Sequence, residues 1–285
     1  MEKYIIYKST GGLAHSLRGL SDMIKLAKKH KRILMIDYIK CIFDQNFSDW
    51  FYIDDKELKY TTNYDTLPNN LSYKGIKKID IENKPLQYSN EKYMLNGNNL
   101  SKIDLSERLL IVAGTNGKCC IDGNIKVKKN VKKNIINSIP KVPEKYIGVH
   151  FRNTDKYNNE NVCFKTIEKC VKLTQITTIY IATDDFKFFD VVCNKFPELN
   201  FFRYVIPYDT YGKGLHKFME NKEKMLNECL TDIYVLLKCS FFVPSINSGL
   251  SKMILGMRKN KKNIFNEKCN FKTFENLNNK KYDDM

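Results

Sequence analysis

No segment of this 285-residue chain reaches the ~18 uninterrupted apolar residues that a membrane span requires, and Met1 to Thr10 holds no stretch of signal-peptide length. The expected location is therefore the cytoplasm. The nine cysteines are odd in number and scattered. Only Cys119 and Cys120 are close, and no Cys-x-x-Cys pair or Cys/His cluster has zinc spacing. A disulfide framework and a zinc module are excluded, and reduced thiols packed in the core are expected.

What is present fits a globular protein of about two domains, at ~150 residues each. Hydrophobic residues make up 42%, enough for a substantial core. A net charge of +16 raises the possibility of phosphate neutralisation by Lys and Arg, so a basic nucleic-acid-binding protein is one alternative. Lysine arrives with abundant Asn and Ile, however, a pattern of coding bias toward adenine and thymine. Lys126 to Lys133 and Arg258 to Lys262 accordingly read as solvated faces. A small phosphate-bearing ligand would be steered by the same positive field.

Alternation organises the chain. Tyr4 to Tyr7 reads as a strand, Gly11-Gly12 as a turn, and Leu13, Leu17, Leu20, Ile24 and Ala27 recur at helical spacing before a second strand, Ile33 to Ile36. That is a βαβ unit, and its sheet should be parallel. From Phe43 to Lys102 the pattern weakens into Asn-rich polar sequence. Leu109 to Ala113 is a further buried strand, and Pro140 and Pro143 mark a linker. The second half repeats the theme with strands at Ile147–Phe151, Thr178–Ala182, Phe201–Tyr204 and Phe241–Val243, and helices near 164–173, 188–194, 225–237 and 250–257. The expected fold class is α/β, with an N-terminal domain over 1–140 and a C-terminal domain over 141–285.

Four groups that handle anions and protons, His150, Arg152, Asp155 and Lys156, leave the strand Ile147–Phe151 together. Ligands of open α/β sheets gather beyond the carboxyl ends of strands, and the planar fork of arginine suits a pyrophosphate. The plain alternative is a solvated loop with Arg152 paired to Asp155. Ser248 and Gly249 open the last helix, where a hydroxyl and bare N–H groups suit a phosphate, or where the serine is an ordinary cap. Asp184 and Asp185 end a strand and read equally as ligand contacts or as a cap for Phe186 to Asp190. Asp232, at the start of an apolar helix, reads alone as a cap. Gly114-Thr115-Asn116-Gly117-Lys118 follows a buried strand and looks like the P-loop of ATP-dependent amide ligases, a second alternative. Cys119 stands where a magnesium-binding hydroxyl belongs, and Asp122-Gly123-Asn124 reads as a turn where a helix should begin.

Three segments in order, Ile147 to Lys156, Ile179 to Asp185, and Asp232 followed by Ser245 to Leu250, resemble the C-terminal motifs of GT-B fucosyltransferases that use GDP-fucose. The likeness is nearest to the α1,6-fucosyltransferases and their nodulation-factor relatives, and is fainter through Gly11 to Asp37. It implies two Rossmann-like domains facing across a cleft, the first on the acceptor side and the second holding the nucleotide sugar. The implied activity is inverting, metal-independent transfer of fucose from GDP-fucose to a glycan or glycoconjugate hydroxyl. No cofactor beyond the donor substrate is implied. Arg152 would grip the β-phosphate, with Lys156 nearby, and Asp155 would hold Arg152. Glu160, four residues beyond Lys156, would be the general base. Asp232 would pair with guanine N1–H and N2–H, and the backbone of His150 would hold the same base. Gly12, His15, Asp184, Asp185, Asn247, Ser248 and Gly249 complete the expected donor site. No metal ligand is expected, since Asp184-Asp185 lacks the Asp-x-Asp spacing that metal-dependent sugar transferases often use. Asn153 stands where the α1,6 enzymes have a second arginine, and Ala14 where the N-terminal loop often has another glycine.

Overall fold

The computed structural model describes residues 2–9, 11–38, 44–67, 109–113, 121, 123–154, 158–209, 220–245 and 247–258. It divides into two compact units, Met1–Ile136 with Asn221–Leu226, and Asn137–Glu220 with Asn227–Met285. Among the described residues, no helix is long and apolar enough to cross a membrane.

The first unit is built on the strands β1 (Tyr4–Lys8), β2 (Ile33–Asp37), β4 (Tyr60–Thr61) and β5 (Leu109–Ala113), in the order β4-β2-β1-β5 with every pairing parallel. A strand covered on both faces reads as a continuous apolar run, and β1 is buried at all five positions. Helix α1 (Leu13–Lys29) makes the crossover and buries Leu13, Leu17, Leu20, Ile24 and Ala27. Lys28 and Lys29 in its last turn suit the negative end of the helix dipole. Outside this sheet, the short helix α2 (Phe47–Trp50) leads into β3 (Phe51–Ile53), which pairs antiparallel with β6 (Ile125–Val127). Helix α3 (Lys129–Ser138) buries only Val131 and Ile135 and turns its lysines outward, the solvated face expected of that run.

The second unit carries a parallel sheet in the order β10-β7-β8-β9, made of β7 (Ile147–Phe151), β8 (Thr178–Thr183), β9 (Asn200–Phe202) and β10 (Phe241–Val243). Helices α4 (Glu160–Thr174) and α5 (Phe188–Lys195) connect β7 to β8 and β8 to β9. Helix α6 (Lys222–Lys238) returns the chain to β10, and α7 (Gly249–Met257) follows. Side chains alternate across a strand. Ile147, Val149, Phe151, Ile179 and Ile181 therefore share one core with Phe164 and Ile167 of α4 and Phe188 and Val192 of α5. The intervening residues face the other way. A Cβ on Gly148 would lie 2.8 Å from Cys239 Sγ and 2.9 Å from a Leu236 methyl, so only glycine lets the end of α6 lie this close to β7.

Three expectations need correction. Helix α4 starts at Glu160, ahead of the expected start near 164, so that glutamate opens the helix. Helix α6 starts at Lys222, which puts Asp232 at mid-helix and removes its reading as a cap. Arg258 is buried and not part of a solvated cluster. Its guanidinium donates to Leu236 O at 2.8 Å and Cys239 O at 2.9 Å, satisfying carbonyls at the end of α6.

Candidate functional site

In the second unit the chain leaves β7 toward β8 on one side and returns through α6 to β10 on the other. This reversal opens a crevice at the carboxyl ends of β7 and β10, the place where such sheets bind ligands. Two segments border it: Arg152-Asn153-Thr154 after β7, and Pro244-Ser245 with Asn247-Ser248 after β10.

Hydrogen bonds tie these borders together. His150 belongs to the face opposite Val149 and Phe151, and its Nδ1 lies 2.7 Å from Ser251 Oγ in the first turn of α7. Ser251 Oγ also accepts the Ser245 N–H at 2.9 Å, and the Arg152 N–H reaches Ser245 Oγ at 3.4 Å. Burial, aided by the Arg152 charge, holds the His150 imidazole down to about 3, so the ring is neutral at any working pH. A neutral ring is the form that suits the positive end of α7. Ser248 is buried and caps that helix, accepting from Leu250 N–H at 3.2 Å and Ser251 N–H at 3.4 Å. Asn247 is exposed beside it, and Gly249 is the first helical residue.

The second border is held from β8. Asp184 Oδ1 accepts the Asn153 N–H at 2.8 Å; its Oδ2 accepts the Thr154 hydroxyl at 2.6 Å and lies 3.4 Å from Arg152 Nη1. Asp185 Oδ2 accepts from Asn153 Nδ2 at 2.9 Å, and its Oδ1 accepts the Lys187 N–H at 2.9 Å. Asn153 Oδ1 in turn accepts Asn158 N–H at 3.1 Å, and Asn158 Nδ2 donates to Arg152 O. The N-cap of α5 is Lys187, so neither aspartate caps it. Among the described residues, Arg152 pairs with Asp184. Asp155 and Lys156 lie outside the described residues.

Asp232 faces the sheet from α6 and takes the Tyr180 hydroxyl at 2.6 Å. Burial pushes its carboxyl up to about 7, with Glu228 adding to the rise and Tyr180 opposing it. Burial pushes the Cys229 thiol up to about 12, the Asp232 charge adding to the rise and Arg152 opposing it. Glu160 opens α4 directly after its cap, Asn159, whose side chain accepts Asn161 N–H at 2.9 Å.

Gly12 and His15 belong to the first unit. Gly12 is the N-cap of α1, and the His15 ring packs so tightly on Gly11 that a Cβ there would lie 2.5 Å from it. Burial and the nearby Arg18 lower the basicity of His15. The turn Gly114–Lys118 follows β5 but lies outside the described residues. Among the described residues, no three His, Cys, Asp or Glu side chains gather as a metal centre.

Sequence reading missed Thr154, Asn158, Tyr180, Ser245 and Ser251. The i, i+3 spacing of Ser245, Ser248 and Ser251 around a helix start was a usable signal for the last two. Lys8 and Asp37 were missed as well. They are directly opposed at the carboxyl ends of β1 and β2 and form a 2.7 Å ion pair with side chains 4% and 0% exposed.

Two α/β units, each built on its own parallel sheet, make up a GT-B-like fold, and solved structures share it. The α1,6-fucosyltransferase NodZ, in a crystal soaked with GDP-fucose, superposes with a TM-score of 0.63 over 90% of this chain and 93% of that one, at 18% identity. POFUT1 in complex with GDP gives 0.56 over 91% and 95%, at 11% identity. A mutant of Arabidopsis thaliana FUT1 with GDP gives 0.55 over 90% and 69%, at 12% identity. No family model and no curated protein matches the chain in sequence.

Proposed function

We propose that this protein is a cytoplasmic, metal-independent, inverting glycosyltransferase that moves fucose from GDP-fucose to a hydroxyl of a glycan or glycoconjugate. The observation that carries the reading is the placement of Arg152 at the β7/β10 crevice, in a fold shared with fucosyltransferases crystallised with GDP or GDP-fucose. Departure of a nucleoside diphosphate develops negative charge on its pyrophosphate, and fixed donors aimed at that charge lower the barrier. Arg152, 27% exposed and anchored from below by Asp184, supplies such a donor. The N-terminus of α7, with Asn247, Ser248 and Gly249, is the second element of the phosphate cradle. On this reading Asp232 and the backbone of His150 hold the guanine, Gly12 and His15 are further donor contacts, and the N-terminal unit takes the acceptor. Asp155 and Lys156 support the phosphate side. Glu160 removes the proton of the attacking hydroxyl, and attack from the face opposite the leaving group inverts the anomeric carbon.

A thermal-shift panel of GDP, GDP-fucose, GDP-mannose, UDP-sugars and ATP tests the donor, because a ligand of the native state raises the midpoint by mass action. GDP and GDP-fucose should raise it, and transfer should survive excess EDTA. Stabilisation by ATP with magnesium in preference to GDP would point to the turn at Gly114–Lys118 and an amide ligase.

A further inference from the structure

We infer that Asp184 is a positioning residue: one carboxylate directly after β8 fixes three consecutive residues after β7 and thereby aims the Arg152 guanidinium. The inference rests on the nucleotide-sugar reading of the same site and assigns Asp184 to the protein side of it, not to the ligand side. All of its carboxylate contacts go to Arg152, Asn153 and Thr154. Asp185 is spent in the same way, on the Asn153 side chain and the Lys187 N–H. Neither carboxylate has an oxygen turned to other work. The loop needs this clamp, because after Phe151 the strand ladder to β8 ends and the backbone must find its partners elsewhere.

Magnitudes say which contact matters. A partly exposed ion pair at 3.4 Å adds little. The bonds at 2.8 Å and 2.6 Å to a backbone N–H and a hydroxyl are charge-assisted and roughly twice as strong as neutral ones. The loop contacts therefore dominate, and Asp184 acts mainly by fixing the backbone from which Arg152 projects. Asn153 gives the clamp its particular form. Its amide joins Asp185 to Asn158, so at this position a neutral side chain latches the loop where an arginine would carry a second charge.

The test is a double-mutant cycle on GDP affinity by calorimetry, with melting temperature recorded for every variant. Asp184→Ala should weaken GDP about tenfold, and most of that loss should vanish in an Arg152→Ala background, because the two act as one unit. Asp184→Asn keeps an acceptor for Asn153 N–H and a partner for the Thr154 hydroxyl, so it should recover most of the affinity. Wild-type affinity in Asp184→Ala would overturn the inference. So would a loss of equal size with and without Arg152, or an Asp184→Asn variant as weak as the alanine. Failure of the wild-type protein to bind GDP at all would instead overturn the nucleotide-sugar reading beneath it.

Discussion

Tyr180, in the middle of β8, donates its hydroxyl to Asp232 Oδ1 at 2.6 Å from the middle of α6. One buried hydrogen bond does not repay the desolvation of a carboxylate, and the Asp232 carboxyl is accordingly pushed up to about 7. The folded protein thus keeps a proton that the unfolded chain gives up near pH 4. The stability this contributes is complete below that value and is lost as pH rises through about 7. Asp232→Asn should then be more stable than the wild type at pH 8, by on the order of a few kcal/mol, as a rise from about 4 to about 7 implies. At pH 4 the gain should shrink toward zero. A constant offset between the two melting curves from pH 4 to 8 would show that Asp232 is not the titrating group.

If Asp232 holds the guanine as proposed, the same carboxylate sets a functional pH dependence. Pairing with guanine N1–H and N2–H needs the ionised form, so GDP affinity should fall as pH drops below about 7. In Asp232→Asn the affinity should be lower and flat over that range. Calorimetric titrations at pH 6 and pH 8 on both proteins measure it. A pH slope that persists in the variant would assign the titration elsewhere.

Lys8 and Asp37 make a different trade. Removing one member of a buried pair leaves an uncompensated charge, which costs about 3–5 kcal/mol, whereas exchanging both for apolar residues of similar volume is near neutral. Lys8→Met should therefore lower the melting temperature sharply, and Lys8→Met with Asp37→Leu should recover more than half of the loss. A double variant as unstable as the single would mean that other contacts of these side chains dominate.

These two pairs also show what the sequence could and could not reveal. Strands β1, β2, β7, β8 and β10 are apolar runs because they are covered on both faces, and runs of that kind are legible in one dimension. Arg152 was legible because it directly follows such a run. The β3–β6 pairing was not, since it joins residues 51–53 to 125–127 across most of the first unit with no periodic signature. The Lys8–Asp37 and Tyr180–Asp232 pairs depend on strand register and helix packing, which composition does not encode. The start of α4 was read too late for a local reason: Asn158-Asn159 reads as loop, yet Asn159 is the cap that starts the helix.

Arg152→Ala should abolish transfer while leaving the melting temperature within a few degrees of the wild type. The side chain is partly exposed, and its ion pair with Asp184 adds little to the fold. Charge-assisted bonds to a departing pyrophosphate are another matter and are worth several kcal/mol in the transition state. Near-wild-type turnover in a radiolabelled-fucose assay would remove the argument for this crevice.

Glu160 has two roles open to it, and one substitution separates them. As the first residue of α4 its carboxylate complements the helix dipole, a contribution of about 0.3–1 kcal/mol to stability with no bearing on chemistry. As the general base it takes the proton of the acceptor hydroxyl. Glu160→Gln keeps the shape and hydrogen bonding but cannot accept that proton, so turnover should fall by ~10²- to 10⁴-fold. GDP affinity should hold, because the base faces the acceptor and not the nucleotide. A variant that melts slightly lower but turns over normally leaves Glu160 with the helix alone and passes the role to another carboxylate, Asp155 being the nearest in sequence. A variant that loses GDP binding in step with turnover places Glu160 on the donor side instead.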